Sequence, residues 1–198
     1  MLVADTPHGA ANVHLHAVDE PRAALVLGHG AAGGVNSRDL VAVTGVANSE
    51  GITVALVEQP YRVAGRRAPA PAHQLDAAWT AVVEFLRAGE LHGLPLVTGG
   101  RSSGARVACR TAEATGATGV LCLAFPLQPP RRTPVPSRLP ELDAVSVPVL
   151  VVQGARDPFG IPSAAERRTV VEVQGDHSLR TDLDAVAAAV GDWLRTLP

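Results

Sequence analysis

Three residues that together could move a proton stand in the order serine, aspartate, histidine along the sequence. Ser102 lies in a Gly-x-Ser-x-Gly pattern that spans residues 100–104, and Asp157 and His177 follow it. A serine hydroxyl is a weak nucleophile until a base takes its proton, and the base needs a carboxylate that fixes its tautomer. We therefore predict that Ser102 is a nucleophile, His177 its base and Asp157 the carboxylate that orients His177.

The residues around Ser102 predict a sharp turn between a strand and a helix. Mostly apolar residues 94–97 precede the turn, and residues 105–114 fit a helix after it. Neighbouring backbones pass close together at such a turn, so the positions two before and two after the nucleophile must be small. Gly100 and Gly104 meet that requirement. The flanking pattern makes a chance match a minor alternative.

Acyl transfer also needs two donors for the negative charge that develops on the substrate oxygen. One candidate is the backbone N–H of Ser103, at the start of the predicted helix, where the helix dipole adds to the effect. The other is the N–H of Ala31, in the glycine-rich loop 28–34 that follows an apolar run. We predict that these two groups form an oxyanion hole.

Each of these residues has a simpler interpretation when it is taken singly. His177 fits a loop histidine and Asp157 fits an Asp-Pro turn, whereas their joint occurrence with Ser102 favours catalysis. Asp176 could replace Asp157, but a residue adjacent to His177 is poorly placed to reach its ring. His29 is expected to structure the glycine turn. Three further histidines are expected at the surface: His8, His73 and His92.

The elements that must position these residues alternate between strand and helix. Apolar runs predict strands at 13–18, 23–27, 52–57, 94–97, 120–127, 147–152 and 170–173. Apolar residues at helical spacing predict helices at 38–50, 75–86, 105–114 and 184–197, and residues 58–69 and 128–142 are predicted loops. This alternation indicates an α/β fold, with a mainly parallel sheet and helices on both faces, in one domain of residues 1–198. The predicted site residues all follow strands, so the sheet would bring them to the rim where its strands end.

One predicted strand differs from the others in its pattern. Residues 13–18 alternate between apolar and polar, which predicts a half-buried strand at a sheet edge. His14 and His16 would then face solvent. No cysteine or carboxylate nearby completes a metal site with them.

The composition excludes several classes of function. All 17 basic residues are arginine, the formal net charge is −2 and only 3% of residues are aromatic, so nothing indicates nucleic-acid binding. The absence of lysine excludes Schiff-base chemistry and the phosphate-binding lysine of P-loops. No metal or organic cofactor is predicted. Cys109 and Cys122 are expected to be small buried residues.

The sequence lacks a basic, apolar leader and any apolar segment long enough to span a bilayer. We therefore expect a cytoplasmic protein with no membrane association. The abundance of Ala, Arg, Gly and Val suggests a GC-rich bacterial genome. No pattern predicts an oligomeric state.

Several longer motifs accompany the serine pattern, at residues 28–33, 60–67, 99–106, 125–130, 153–160 and 176–177. Through them the chain resembles α/β-hydrolases over nearly its whole length. More narrowly, it resembles the small, lidless bacterial branch related to dienelactone hydrolases and to the hydrolase-like domain shared by testis-expressed proteins and a subunit of a histone acetyltransferase complex. The resemblance implies the same triad of Ser102, Asp157 and His177. The chain departs from this branch in two places. Dienelactone hydrolases proper use a cysteine nucleophile, where this chain has Ser102. Residues 103–105 read Ser-Gly-Ala, where the branch usually has Met-Gly-Gly.

Two alternatives come from other classes of protein. Residues 28–33 also fit Gly-x-Gly-x-x-Gly, and Glu58 ends the next predicted strand, as in dinucleotide-binding domains. Residues 34–36 delay the following helix, however, and this interpretation leaves Ser102, Asp157 and His177 without a role. The second alternative is a hydrolase fold that serves as a noncatalytic interaction module.

The substrate is predicted to be a small carboxylic ester or thioester. Only about twenty residues separate the strand predicted to end at Leu127 from the next one, too few for a cap domain. We expect an open site that accepts short or protruding acyl groups. Arg62, Arg66 and Arg67 could bind a carboxylate or phosphate on the substrate, although a solvated loop is the favoured interpretation of these arginines.

Overall fold

Eight strands form one sheet in the computed structural model, which describes residues 1–130 and 135–197. The strands are β1 (Leu2–Thr6), β2 (Gly9–His16), β3 (Ala23–Gly28), β4 (Ile52–Glu58), β5 (Leu96–Arg101), β6 (Gly119–Leu123), β7 (Val149–Gly154) and β8 (Arg168–Val173). The helices are α1 (Arg38–Ser49), α2 (Pro60–Val63), α3 (Ala72–Ala88), α4 (Ser103–Thr115), α5 (Leu139–Asp143) and α6 (Leu183–Thr196).

The sheet has the strand order β1-β2-β4-β3-β5-β6-β7-β8. Strands β3 to β8 are mutually parallel, whereas β2 pairs antiparallel with β4 and with β1. The carboxyl ends of the parallel strands therefore lie along one rim, as the sequence predicted. The α/β fold class with a mainly parallel sheet is confirmed.

Helices on both faces explain why the central strands are continuously apolar. Every residue of β3 and β7 is buried. In β3, Leu25 and Leu27 pack with residues of α1 and α6, while Ala24 and Val26 pack on the opposite face with residues of α3. A strand covered on both faces needs no polar alternation. Cys109 and Cys122 are also buried, as expected, with their sulfur atoms 3.5 Å apart.

The prediction of an edge strand at residues 13–18 is wrong. Strand β1 forms a hairpin with β2 and lies outside it, so β1 is the edge. The five residues of β1 are too short and too mixed in polarity to stand out as a strand in the sequence. His16 is exposed, but His14 is half-buried, and its buried Nε2 has no hydrogen-bond partner among the described residues.

The predicted loops contain short helices. Pro60, whose fixed φ suits the first turn of a helix, begins α2 inside the predicted loop 58–69. Strand β6 ends four residues before the predicted end at Leu127, because Ala124 adopts a φ of 49°. Helix α5 begins at Leu139 inside the predicted loop 128–142, of which residues 131–134 lie outside the described residues.

The long helices lie close to their predicted bounds. Helices α1, α3, α4 and α6 each overlap one of the four predicted helices. Within residues 1–130 and 135–197, none of the helices combines the length and the apolar character needed to cross a membrane.

Candidate active site

Ser102 lies in a strained turn between β5 and α4. Its φ is 51° and its ψ is −106°, a conformation that non-glycine residues rarely adopt. Such strain persists only where the surrounding structure enforces it. The Ser102 N–H donates to the Leu123 carbonyl at 2.8 Å, and its own carbonyl accepts from Arg106 N–H at 3.3 Å.

Three glycines allow the backbones to approach at this turn. A Cβ atom on Gly100 or Gly104 would clash with the carbonyl oxygen of Gly28, at well under 3.0 Å. Gly28 ends β3, Gly100 lies in β5 and Gly104 lies in the first turn of α4. The close contact with β3 therefore explains why small residues are required on both sides of Ser102.

The structure brings Ser102, His177 and Asp157 into one hydrogen-bonded chain. The Ser102 hydroxyl lies 2.9 Å from His177 Nε2, and His177 Nδ1 lies 2.8 Å from Asp157 Oδ2. A carboxylate accepts only, so Nδ1 carries the proton and Nε2 is free to accept from the serine. The Asp157 side chain is fully buried and the His177 side chain is 18% exposed. The series of hydrogen bonds is thus buried at Asp157 and more open toward Ser102, the end at which a substrate could bind.

The buried Asp157 carboxylate has two further donors. Gln153 Nε2 donates to Oδ2 at 2.8 Å, and the backbone N–H of Phe159 donates to Oδ1 at 2.8 Å. A buried carboxylate is tolerated when hydrogen bonds replace its hydration. Gln153 is itself fully buried, and its Nε2 also lies 3.0 Å from the Phe125 carbonyl oxygen and 2.9 Å from that of Gly160. The two protons of this amide group are therefore shared among three acceptors, one of which is Asp157.

His177 contacts an aromatic ring as well as Asp157. The centroid of the Phe159 ring lies 4.3 Å from the centroid of the imidazole, with an interplanar angle of 34°. This contact restricts rotation of the imidazole about its side-chain bonds. His177 is therefore fixed by a hydrogen bond at Nδ1 and by packing on one face.

Asp176 does not take the place of Asp157. Its Oδ1 accepts from the N–H of Ser178 at 2.9 Å and from the Ser178 hydroxyl at 2.6 Å. The hydroxyl hydrogen bond holds the pKa of this exposed carboxyl below its ordinary value. The side chain thus points to its own loop and not to the imidazole.

The glycine loop and the start of α4 each contain a backbone N–H group without a hydrogen-bond partner among the described residues. The N–H groups of Ala31 and Ser103 donate no hydrogen bond to another residue in the described part of the chain. Ser103 is the first residue of α4, where the helix dipole places positive charge. The Ala31 carbonyl accepts from the Tyr61 hydroxyl at 3.0 Å, which fixes the orientation of the loop. Burial raises the pKa of Tyr61 to about 12, so this hydroxyl remains a donor.

The His29 side chain forms hydrogen bonds at both of its ring nitrogens, one of them within the same loop. Its Nδ1 donates to the Gly30 carbonyl at 2.8 Å, and its Nε2 accepts from the backbone N–H of Gln59 at 3.2 Å. Burial lowers the pKa of His29, which favours this neutral form. Both ring nitrogens of His29 therefore form hydrogen bonds that hold the glycine loop against the end of β4. His8, His73 and His92 are exposed, as expected.

The three loop arginines do not contact Ser102, Asp157 or His177 among the described residues. None of them forms a hydrogen bond or ion pair with Ser102, Asp157 or His177 in the described structure, and Arg66 and Arg67 are exposed. Arg62 is half-buried and donates to the Arg66 carbonyl at 3.5 Å. In residues 1–130 and 135–197, no three His, Cys, Asp or Glu side chains form a group suited to a metal ion.

Sequence reasoning assigned no role to Gln153, Phe159 and Tyr61. The sequence does contain a signal for Gln153, because this residue is strongly polar and stands near the end of the otherwise apolar strand β7. Tyr61 lies in the short helix α2 and Phe159 in a loop. The partner of the Tyr61 hydroxyl, Ala31, and the ring that Phe159 packs against, His177, are distant in sequence, so nothing local identifies these contacts.

Comparison with known proteins agrees with this architecture. A family profile described as alpha/beta hydrolase domain matches residues 21–185. A search of curated proteins returns no match. The helix after the glycine loop begins only at Arg38, four residues past Gly34, which is not the tight strand-to-helix turn of a dinucleotide-binding domain.

Solved structures with the same fold cover almost the whole chain. A lidless α/β serine hydrolase from Xanthomonas campestris is 21% identical, with a TM-score of 0.78 over 100% of this chain and 94% of its own. Est1E from Butyrivibrio proteoclasticus with bound ferulic acid is 15% identical, with a TM-score of 0.78 over 100% of this chain and 99% of its own. A dienelactone hydrolase from Anabaena variabilis is 14% identical, with a TM-score of 0.80 over 99% of this chain and 96% of its own. These likenesses show the fold.

Proposed function

The chain belongs to the α/β-hydrolase domain family, and from that premise we propose that it is a serine hydrolase that cleaves a carboxylic ester or thioester through an acyl-enzyme. One observation carries the proposal: Ser102 Oγ, His177 and Asp157 form a continuous path of hydrogen bonds of 2.9 and 2.8 Å. This is the geometry in which a histidine can remove the serine proton and remain paired with a carboxylate. We assign the roles of nucleophile, base and orienting carboxylate in that order.

In the first half of the reaction, Ser102 Oγ attacks the substrate carbonyl as its proton passes to His177 Nε2. Asp157 stabilises the imidazolium that forms, through its hydrogen bond to Nδ1. The N–H groups of Ala31 and Ser103 donate to the oxyanion of the tetrahedral intermediate. A single donor of this kind contributes about 3–4 kcal/mol to transition-state stabilisation. His177 then returns the proton to the departing alcohol or thiol, and the acyl group remains on Ser102.

In the second half, a water molecule takes the place of the alcohol or thiol. His177 Nε2 removes a proton from the water as its oxygen attacks the acyl carbonyl, and the same two N–H groups stabilise the second oxyanion. Collapse of this intermediate returns the proton to Ser102 Oγ and releases the carboxylic acid. One ester bond is broken for each water consumed, and no group other than these residues is needed.

The proposed substrates have short or protruding acyl groups. Between β6 and β7, the described residues contain only the five-residue helix α5 as a regular element, and the fold has no cap domain. An open rim offers little apolar surface to a long acyl chain, so binding energy for long chains should be small. A series of aryl esters from acetyl to long-chain acyl groups tests this, and strong preference for the long chains would contradict it.

Arg62, Arg66 and Arg67 remain a secondary proposal for binding an anionic group of the substrate. Their exposure favours a solvated loop. Reversing the charge of Arg66 and Arg67 should raise KM for anionic esters only if the arginines bind them, so an unchanged KM would remove the proposal.

Labelling with a fluorophosphonate tests the central proposal. Wild type, Ser102→Ala and Ser103→Ala are compared, because Ser103 is the adjacent serine and its substitution keeps the backbone N–H. We expect Ser102→Ala to lose the label and at least about 10³-fold of kcat, while Ser103→Ala labels like wild type. Absence of labelling in a folded wild type would contradict the proposal and favour a noncatalytic interaction module. Labelling of Ser102→Ala would assign the nucleophile to another residue.

A further inference from the structure

Arg101, the residue directly before Ser102, contacts three separate segments around the site. Its Nη2 donates to the backbone carbonyl of His177 at 3.0 Å. Its Nε lies 3.1 Å from Asp39 Oδ2. Its Nη1 lies against Gly30, where a Cβ atom would be 2.7 Å away. The three nitrogens of one guanidinium therefore meet three different parts of the fold.

The proposed reaction requires that these segments keep fixed positions relative to one another. His177 carries the proposed base, and Gly30 directly precedes Ala31, whose N–H is a proposed oxyanion donor. Asp39 lies in the first turn of α1, after the glycine loop, and it is 1% exposed. The contact between Arg101 Nε and Asp39 Oδ2 is an ion pair without hydrogen-bond geometry, so Asp39 holds the guanidinium by charge. Because the guanidinium is planar and rigid, this ion pair and the hydrogen bond from Nη2 to His177 together fix its position.

We propose that Arg101, oriented by Asp39, is a positioning residue that fixes His177 and the Ala31 loop relative to Ser102. The inference rests on the proposed serine hydrolase function. Arg101 itself acts on no reacting atom. Its importance follows from the geometry of catalysis, in which a displacement of about 1 Å can cost 10²-fold in rate.

A buried ion pair that only stabilises the fold would leave a different signature. Loss of such a pair lowers the stability of the protein but leaves kcat of the folded enzyme unchanged. Loss of a positioning residue lowers kcat with little change in KM, because the substrate still binds to the open rim. The split between kcat and KM therefore separates the two roles.

Arg87 provides a matched control. Its Nη1 donates to the Thr115 carbonyl at 2.8 Å and would lie 2.6 Å from a Cβ atom on Gly116. These are the same two kinds of contact, made at the opposite end of α4 from Ser102. Arg101→Met and Arg87→Met thus both remove a hydrogen bond to a carbonyl and a contact with a glycine, near to the proposed site and away from it. Arg101→Met also removes the ion pair with Asp39, and Arg101→Lys controls for that loss because it keeps the charge.

The experiment compares kcat, KM and thermal unfolding in these two variants and in Arg101→Lys. We expect Arg101→Met to lower kcat about 10- to 100-fold, with KM within about two-fold of wild type, and Arg87→Met to change neither. Arg101→Lys keeps the charge opposite Asp39 but has one nitrogen for three partners, so kcat should stay low. Full kcat in Arg101→Lys, or in a folded Arg101→Met, would overturn the proposal. If Arg101→Met does not fold, Arg101→Lys decides the question alone.

A second readout does not depend on turnover. The proton on His177 Nδ1, which is hydrogen-bonded to Asp157, can be followed by its downfield resonance in the proton NMR spectrum. We expect its resonance to shift or broaden in Arg101→Lys and to be unchanged in Arg87→Met. An unchanged resonance in Arg101→Lys would overturn the positioning role. If wild type shows neither labelling nor turnover, the function fails, and this resonance still decides whether Arg101 positions His177.

Discussion

The two halves of the candidate site are built by different forces. On the nucleophile's side, which we name for the proposed role of Ser102, this residue is fixed by backbone contact, because Gly28, Gly100 and Gly104 allow two strands and a helix to touch. On the acid–base side, which we name for the proposed roles of Asp157 and His177, these residues are fixed by hydrogen bonds between side chains and loops. A steric requirement is absolute, since any Cβ atom violates it. A hydrogen-bonded arrangement is graded, since each bond adds a limited contribution of about 0.5–1.5 kcal/mol.

This difference predicts how each half responds to substitution. A single added methyl group should disable the nucleophile's side entirely. A single lost hydrogen bond should weaken the acid–base side by a measurable factor and leave the rest in place. Three substitutions test the contrast, in order of decreasing effect.

Gly104→Ala should have the largest effect. Its Cβ atom would clash with the backbone carbonyls of Gly28 and His29, and backbone atoms cannot move aside as a flexible side chain can. Overpacking of a core costs about 1–3 kcal/mol even where side chains can adjust, so we expect a loss of about 3 kcal/mol or more, or failure to fold. Urea unfolding of the variant measures it.

Gly45→Ala is the control for this substitution. Gly45 lies inside α1, is exposed, and has no atom within 4 Å of an added Cβ. Alanine is favoured over glycine in a helix interior by about 0.5–1 kcal/mol, so this variant should be more stable than wild type. A Gly104→Ala protein whose unfolding free energy stays within about 1 kcal/mol of wild type would show that the nucleophile's side also adjusts, which removes the contrast.

Gln153→Met should have an intermediate effect. The substitution keeps the volume but removes the donor to Asp157 Oδ2 and to the carbonyls of Phe125 and Gly160. Leaving buried acceptors without a donor costs about 1–3 kcal/mol. We expect a loss of that size in unfolding free energy and a decrease of about 10-fold in kcat, because Asp157 and then His177 are less well oriented.

Gln128→Met serves for comparison, since Gln128 donates to the Val135 carbonyl from an exposed position. Its unfolding free energy should stay within about 0.5 kcal/mol of wild type. Complete inactivity of a folded Gln153→Met protein would mean that the acid–base side is as intolerant as the nucleophile's side.

The same difference explains what could be predicted from the sequence. The glycines around Ser102 are visible because a steric requirement restricts residue type at fixed spacing. Asp157 and His177 were predicted because they follow strands of a parallel sheet, which fixes where their loops meet. Arg101 and Tyr61 were not, because a side chain that donates to a distant carbonyl can be replaced by many others, and only the folded chain shows its partner. The hairpin of β1 and β2 was missed because five residues of mixed polarity give no periodic signal.

Asp176→Asn should have the smallest effect, although Asp176 is adjacent to His177. The asparagine oxygen can accept the two hydrogen bonds from Ser178, so only the charge is lost. We expect kcat to stay within about two-fold of wild type. The lowered pKa of Asp176 also predicts a pH dependence, since a carboxyl whose pKa falls on folding stabilises the folded state above its unfolded pKa of about 4. Any stability advantage of wild type over Asp176→Asn should therefore exist at neutral pH and vanish on acidification through the folded pKa, in thermal unfolding at a series of pH values. A loss of kcat as large as that of Gln153→Met would mean that the charge of Asp176 affects His177 without a hydrogen bond between them. The acid–base side would then depend on the electrostatic potential of its loops as well as on its hydrogen bonds.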